Sequence, residues 1–250
     1  MKPDGARAWG LMALGTVLLL AVWELVGRME CAGRTWPPLS DVLAYLGPSE
    51  QRGLLTRSLN ATATAAGSGF LLGAATALLL AVLGSLVPRL QPGFERMAAL
   101  VNALPLIALA PLLITTVGRE STPAVVAGLG AGFTMFVAAS SGLTATRSVH
   151  QDLFTALGAQ RLRRLLLLQL PSSVPLLLDG LALAAPAAVL GAVVGEWFGA
   201  DSGLGVLLVS SMQNLQTELM WVAGLATTLL SLALYVTISG LRALLIRRFV

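Results

Sequence analysis

Long apolar stretches, interrupted by short charged segments, run along almost the whole chain. Four intervals contain no charged residue: 58–88, 97–118, 121–146 and 219–241. Two more apolar stretches carry few charges, 9–27 and 176–198. A helix needs about 20 apolar residues to cross the hydrocarbon core of a membrane, so each stretch is long enough for one span. The pattern predicts an all-α, polytopic membrane protein with six transmembrane helices, near residues 9–27, 61–86, 97–118, 122–145, 176–198 and 219–241.

The second span lies in an interval that is too long for one straight crossing. Its first part, SLNATATAAGSG, is only weakly apolar, and we expect it to extend the helix beyond the lipid. Gly69 and Gly73 follow at a spacing of four residues. Small residues at this spacing let helix backbones approach closely in lipid, which favours packing within the bundle over a dedicated dimer motif.

The segments between the spans also carry patterns. The stretch RTWPPLSDVLAYLG at 34–47 predicts a short amphipathic helix that starts after Pro37 and Pro38, with Ser40 as its cap. The stretch 199–218 is rich in glycine and serine and predicts a loop.

Prolines interrupt the helical hydrogen bonding of the third span. Breaks of this kind in lipid are tolerated where the freed backbone groups face protein or a water-filled cavity. Intramembrane carboxylates are costly and mark functional sites by default, and Glu196 lies near the end of the fifth span. We expect Asn102, Pro105, Pro111 and Glu196 to line a translocation pathway or its gate. For Glu196 the alternative is a helix-end carboxylate bonded to nearby backbone groups.

Composition supports a membrane protein and removes several other classes. Charged residues make up 11% of the chain, against about 25% in soluble domains. We expect one transmembrane domain over 1–250. The basic residues lie between spans rather than on one soluble face, so no nucleic-acid partner is expected. One cysteine, one histidine and scattered carboxylates provide no catalytic group and no metal site, and Lys2, the only lysine, is not in a phosphate-binding loop. The chain is therefore not expected to be an enzyme.

The distribution of lysine and arginine predicts the orientation, since cytoplasmic loops carry the excess of these residues. With six spans and a cytoplasmic N-terminus, most basic residues lie inside: Lys2, Arg7, Arg89, Arg96, Arg147, Arg161, Arg163, Arg164, Arg242, Arg247 and Arg248. The outer segments hold fewer: Arg28, Arg34, Arg52, Arg57 and Arg119. Both termini are predicted to be cytoplasmic.

The largest of these cytoplasmic segments, 146–175, contains the stretch GAQRLRRLLLLQLP. A short helix over 151–157 is expected to end at Gly158, because glycine accepts the left-handed conformation that terminates helices. A second helix is expected to start near Gln160 and to turn toward the membrane at Pro171. The positive charge of its arginines, taken alone, favours contact between this stretch and the anionic lipids of the inner leaflet.

The spacing from Asp152 to Pro171 points beyond lipid contact. It resembles the cytoplasmic EAA loop of importer permeases of the ABC class, E-A-A-x-x-x-G-x9-I-x-L-P. Three positions match by identity and two conservatively, whereas Leu153 and Phe154 stand where the family has two alanines. The resemblance implies that 146–175 is a cytoplasmic coupling loop that seats in a groove of a separate ATPase subunit. The residues it assigns to ATPase coupling are Asp152, Ala156, Gly158, Ala159, Leu168, Leu170 and Pro171.

Two further segments narrow the resemblance. The stretches NALPLIALAPLLI at 102–114 and GAVVGEWFGADSGLG at 191–205 are similar to the permeases of nitrate, sulfonate, taurine and bicarbonate importers. Related systems for riboflavin and for pyrimidine precursors of thiamin share this sequence type. The resemblance implies the type I ABC importer permease fold in the bacterial inner membrane. It also implies three kinds of partner: ATPase subunits that hold ATP and Mg, an external solute-binding protein, and a second copy of the chain. No cofactor is expected in the chain itself.

The solute is predicted only as a class. It is either a small anion like nitrate, sulfonate or taurine, or a metabolite like the pyrimidine precursor of thiamin. Arg119 is the one basic residue near the outer ends of spans three and four, which favours a neutral or aromatic solute. The alternative function is an ion-coupled secondary transporter that works without an ATPase. Such a carrier needs ionisable residues near the middle of the membrane, and the span centres are nearly free of charge.

Overall fold

The computed structural model describes residues 5–33, 35–146 and 148–246, without the side chains of residues 5–9, 148 and 246. Within these residues all of the regular secondary structure is helical, which confirms the predicted fold class. Its helices are α1 Gly5–Arg28, α2 Leu39–Ala44, α3 Ser49–Leu86, α4 Gln91–Ala103, α5 Leu106–Val117, α6 Thr122–Thr144, α7 Ser148–Ala156, α8 Arg161–Arg164, α9 Leu170–Glu196, α10 Leu204–Gln213 and α11 Thr217–Ile246, with a π-helical turn at Leu165–Gln169 between α8 and α9.

Five helical stretches are long and apolar enough to cross a membrane. Four correspond to α1, α3, α6 and α11, and the fifth runs without a sharp bend from α8 to the end of α9. The remaining predicted span, 97–118, exists only as the bent pair of α4 and α5. Of the basic residues counted for the predicted orientation, five lie outside the described residues: Lys2, Arg34, Arg147, Arg247 and Arg248.

The third predicted span, 97–118, is therefore not one helix. α4 ends at Ala103, α5 begins at Leu106, and their axes differ in direction by 99°. Leu104 has the extended conformation, with ψ of 127°. The clash between a proline ring and the preceding residue disfavours helical backbone at that residue, so Pro105 explains the position of the break. Pro111, by contrast, lies inside α5 without ending it.

The chain divides into two compact units, Met1–Thr56 with Leu207–Leu225, and Arg57–Val206 with Ala226–Val250. The larger unit is built around small residues. α6 contacts α9 extensively, and the buried core consists mainly of alanines from α3, α6 and α9. At Gly73 of α3 a Cβ atom would collide with the backbone of Gly128 in α6. The predicted small-residue spacing therefore serves packing within one chain.

The smaller unit is held together by three tryptophans. The ring centroids of Trp23, Trp36 and Trp221 lie 4.7 to 5.8 Å apart. Trp23 Nε1 donates to the carbonyl of Pro37 at 3.1 Å, and Trp221 Nε1 donates to the carbonyl of Thr35 at 3.0 Å. Aromatic pairs at this distance add about 0.5–1.5 kcal/mol each beyond the burial of their area. The cluster joins α1, the connector before α2 and the start of α11.

Two predictions for the connecting segments need correction. α2 is shorter than the predicted helix over 34–47, and Ser40 does not cap it. α2 begins at Leu39, so Ser40 lies inside its first turn, where its amide has no partner within the helix. The Ser40 hydroxyl and amide instead both donate to the carboxylate of Glu24, at 2.8 and 3.0 Å. The predicted loop over 199–218 contains a helix, α10.

Candidate functional site

The segment between α6 and α9 forms two short helices around a glycine turn. α7 ends at Ala156, and Gly158 has φ of +66°. The Gly158 amide donates to the carbonyl of Thr155 at 3.0 Å, and the Ala159 amide donates to that of Phe154 at 2.9 Å. These two bonds are the paired contacts of a Schellman helix end, in which glycine supplies the left-handed residue. Gly158 thus has the predicted helix-ending conformation.

One face of α7 is an exposed apolar ridge. Val149, Leu153 and Leu157 follow each other at four-residue spacing, and their side chains are 71, 54 and 73% exposed. Residues four apart lie on the same face of a helix. On another face, Phe154 is half-buried, and Gln151 Nε2 donates to the Thr146 hydroxyl at 2.6 Å. One face of α7 therefore contacts the rest of the chain, and another face leaves apolar side chains exposed.

The ridge also explains how the chain departs from the EAA pattern. Of the two large residues that replace alanines, Leu153 lies on the exposed ridge and Phe154 is half-buried. Only Leu153 enlarges the surface available to a partner. Among the residues assigned to coupling, Asp152, Ala156 and Gly158 are exposed and Ala159 is half-buried.

The helix after the glycine turn is anchored to the end of α3. Arg161 Nη1 donates to the carbonyl of Leu86, the last residue of α3, at 3.3 Å. The Ser85 hydroxyl donates to Gln169 Oε1 at 2.8 Å. A cation favours the carbonyl end of a helix because this end carries partial negative charge. The segment after Gly158 is therefore bonded to the end of α3 as well as being continuous with α9.

The expected turn at Pro171 is wrong, because the helix continues through it. Residues 165–169 form a π-helical turn, and α9 follows directly at Leu170. Leu165 and Leu168 are 2 and 8% exposed and pack into the bundle, whereas Pro171 is exposed. A π turn shifts the hydrogen-bond register, so Pro171 falls at the start of a new helix where its missing amide is tolerated. Leu168 lies in the π turn, and Leu170 and Pro171 lie in the first turn of α9. None of the three is in a loop.

The four residues predicted for the pathway or gate fall into two places. Asn102, Pro105 and Pro111 are exposed around the bend between α4 and α5. Glu196, at the other end of α9 from Pro171, is 2% exposed. Its Oε2 accepts from the Thr62 hydroxyl at 3.0 Å and from the Gly205 amide at 2.7 Å, so its polar partners come from α3 and α10.

A groove of about 610 Å³ opens between α3, α4 and α6. Its walls are almost entirely apolar, with the aromatic rings of Phe133 and Phe136, and Glu120 and Ser121 also reach it. This volume falls within the range of about 300–1,000 Å³ that small-molecule sites occupy. The sequence pattern did not reveal the groove, because its walls come from three helices that are close together only in the folded chain.

An all-helical bundle with five apolar spans and a sixth broken by a proline is the architecture of a multi-pass membrane protein. The comparison with protein families agrees: residues 69–250 match the model of the binding-protein-dependent transport system inner membrane component. The chain belongs to this family and is a permease subunit of a binding-protein-dependent ABC importer. This result confirms the family resemblance carried by the stretches 102–114, 152–171 and 191–205.

Several permeases are similar to the chain. A probable ABC transporter permease protein of Haemophilus influenzae is 35% identical over 69% of both chains. The formylaminopyrimidine transport permease protein ThiX of Halalkalibacterium halodurans is 32% identical over 76% of both. The riboflavin transport system permease protein RibX of Chloroflexus aurantiacus is 32% identical over 86% of this chain and 77% of its own.

A solved structure shows the same fold. The inward-facing MetNI methionine ABC transporter superposes with a TM-score of 0.65, covering 81% of this chain and 99% of the other at 18% identity. At this identity the similarity supports the fold alone, and it agrees with the type I importer permease fold that the resemblance implies.

Proposed function

We propose that this chain forms the solute pathway of its importer and that α7 and the turn at Gly158 dock into a separate ATPase subunit. The ATPase holds ATP and Mg and hydrolyses the nucleotide. A second copy of this chain completes the pathway, and an external binding protein delivers the solute. The α7 end of the bundle, with both termini, lies in the cytoplasm of a bacterial cell.

The exposed apolar ridge on α7 is the observation that carries this proposal. Three large apolar side chains on one exposed helix face are a typical contact surface for another protein. The ridge lies beside the arginine-rich start of α8, and Arg161 connects this region to α3. A force applied at the ridge therefore reaches two core helices, which suits a lever moved by an ATPase.

We further propose that the solute is a small neutral heteroaromatic molecule. The aromatic and apolar walls of the groove between α3, α4 and α6 suit such a solute better than a bare inorganic anion. Two relatives at 32% identity carry names that refer to formylaminopyrimidine and riboflavin, whereas a putative aliphatic sulfonates transport permease of Bacillus subtilis is 26% identical. An aliphatic or inorganic anion is the competing class.

The test starts from the tagged chain, expressed in its own membranes and extracted in mild detergent. We expect an ATPase subunit to co-purify in about equal amount, which mass spectrometry measures. Leu153→Asp places a charge in the middle of the ridge and is expected to abolish this co-purification, because the charge must be desolvated on docking. Stable recovery of the wild-type chain without any ATPase would instead support a secondary transporter.

Thr155→Asp is the matched control for the ridge. Thr155 is also exposed on α7, but it lies two residues from Leu153 and hence on the opposite side of the helix. The Thr155→Asp variant introduces the same charge into the same helix, and we expect ATPase binding to persist. If both variants lose the ATPase equally, the charge acts on the helix itself and the ridge is not the docking surface.

A further inference from the structure

The first turn of α10 is capped by side chains from two other helices. The Leu204 amide donates to the Thr62 hydroxyl at 2.8 Å, and the Gly205 amide donates to Glu196 Oε2 at 2.7 Å. The Thr62 hydroxyl in turn donates to the same oxygen of Glu196 at 3.0 Å. The first amides of a helix have no partner within it. Here α3 and α9 supply the acceptors that a local cap residue normally provides.

This cluster is enclosed and tightly fitted. Thr62 is fully buried and Glu196 is 2% exposed. A Cβ atom at Gly203, whose φ is +148°, would collide with the Glu196 carboxyl group. Glycine is therefore required there both by the backbone conformation and by the space. Among the described residues Glu196 Oε1 has no hydrogen-bond partner, so the interactions of the carboxyl group are concentrated on Oε2.

The cluster fixes both ends of a short exposed loop. On one side Glu196 ends α9, and on the other its carboxylate holds the start of α10. Asp201 and Ser202 between them are exposed, and Trp197 and Phe198 just before them are 39 and 36% exposed. The segment 197–202 thus presents aromatic and polar side chains at the end of α9 opposite to α7.

We propose that Thr62 and Glu196 are positioning residues that hold the segment 197–202 in the shape that the external binding protein recognises. This inference rests on the proposed function, because it places that segment on the outer face of an importer. Both residues are buried, so they do not form part of the recognised surface. They act through the backbone amides of Leu204 and Gly205.

The experiment uses the assembled complex in lipid nanodiscs and measures ATPase activity against the concentration of solute-loaded binding protein. Thr62→Val keeps the shape of the side chain but removes the hydroxyl, leaving the buried Leu204 amide without its acceptor. We expect the half-saturating concentration of binding protein to rise about tenfold, with basal and maximal ATPase rates retained. Thr62→Ser restores the hydroxyl and is expected to restore the wild-type value. Glu196→Leu removes the acceptor of the Gly205 amide and should raise the half-saturating concentration as well.

Ser173→Ala is the control for general destabilisation. Ser173 is also fully buried, lies near the α7 end of α9 and makes a hydroxyl bond to the carbonyl of Leu170. It should leave the half-saturating concentration unchanged. The inference is overturned if Thr62→Val and Glu196→Leu leave that concentration at the wild-type value, or if they lower only the basal and maximal rates.

A spin label measures the mobility of the segment 197–202 directly. Cys31 is the only cysteine, so Cys31→Ser with Asp201→Cys gives one labelling site in the loop. Adding Thr62→Val should increase the mobility of the label, and unchanged mobility would overturn the inference. Failure of the proposed function is recognised separately, because the wild-type chain would then assemble with no ATPase.

Discussion

Asp179 and Arg242 form an ion pair between α9 and α11, with 2.7 Å between Oδ1 and Nε. A second contact, 3.2 Å long, joins Arg242 Nη2 to Asp179 Oδ2. Both residues lie in stretches that are apolar enough to cross a membrane, where an unpaired charge is costly. The pair therefore links two spans, and each residue neutralises the charge of the other within an apolar stretch.

Asp179→Asn is expected to leave the Arg242 cation without its partner. An unpaired charge costs about 2.5–3.5 kcal/mol at the centre of a span and less near its end, so we expect the unfolding midpoint to fall by several degrees. Thermal unfolding of the purified chain in detergent measures it. The reversed pair, Asp179→Arg with Arg242→Asp, should recover most of the loss. A reversed pair less stable than the single variant would show that the two charges do not act together.

Gly158→Val is expected to uncouple the importer while the bundle remains folded. No atom within 4 Å would meet a Cβ at this position, so the strain comes only from its φ of +66°. A β-branched residue is a genuine outlier there, at a cost of about 1–2 kcal/mol. We expect solute uptake to fall about tenfold or more, with normal amounts of protein in the membrane. Gly158→Asn, which tolerates this conformation, is the control, and equal loss in both variants would contradict the explanation.

Gly73→Val is expected to damage the fold itself. A side chain here meets the backbone of Gly128 across the contact between α3 and α6, and overpacking of this kind costs about 1–3 kcal/mol. Size-exclusion chromatography of the detergent-solubilised chain should show less monodisperse protein. Gly67→Val makes the same change six residues earlier in α3, where a Cβ would meet nothing within 4 Å. We expect it to be tolerated, and equal losses would point to helix propensity and not packing.

Trp221→Leu is expected to loosen the tryptophan cluster of the smaller unit. The change removes two ring contacts and the hydrogen bond to the Thr35 carbonyl. Local opening should rise, and limited proteolysis should cut the connector between α1 and α2 several-fold faster. Trp197→Leu replaces a tryptophan outside this cluster and should leave the cutting rate unchanged. An unchanged rate in Trp221→Leu would mean that the connector is held by Glu24 and Ser40 instead.

The sequence predicted correctly those features of the helices that hydrophobicity or backbone chemistry alone decides. In a membrane every backbone polar group must be satisfied within the segment, so an apolar run of sufficient length has to be helical. Proline chemistry predicted interruptions of the third span at Pro105 and Pro111, of which only the one at Pro105 separates two helices. The left-handed tolerance of glycine located the end of the helix at Gly158. These predictions depend on a residue and its near neighbours alone.

The segments between the spans were predicted less well, because several local solutions compete there. Ser40 has the chemistry of a helix cap, yet it donates to Glu24, sixteen residues away. Pro171 has the chemistry of a helix break, yet the π turn before it lets the helix continue. A distant contact in the first case and a register change in the second replaced the local structure that the residue type predicts.

By itself the sequence determined the helical class, the approximate spans, a proline interruption in the third span and the motif that identifies the family. Only the tertiary structure decided that Thr62 meets Glu196 across 134 residues, that Asp179 pairs with Arg242, and that one face of α7 is left exposed. The physical reason is the distance along the chain over which each interaction acts. Apolar length and backbone preference act within a few residues, whereas a hydrogen bond, an ion pair or a groove depends on which helix faces meet, and this is set by the packing of small residues such as Gly73 and Gly128.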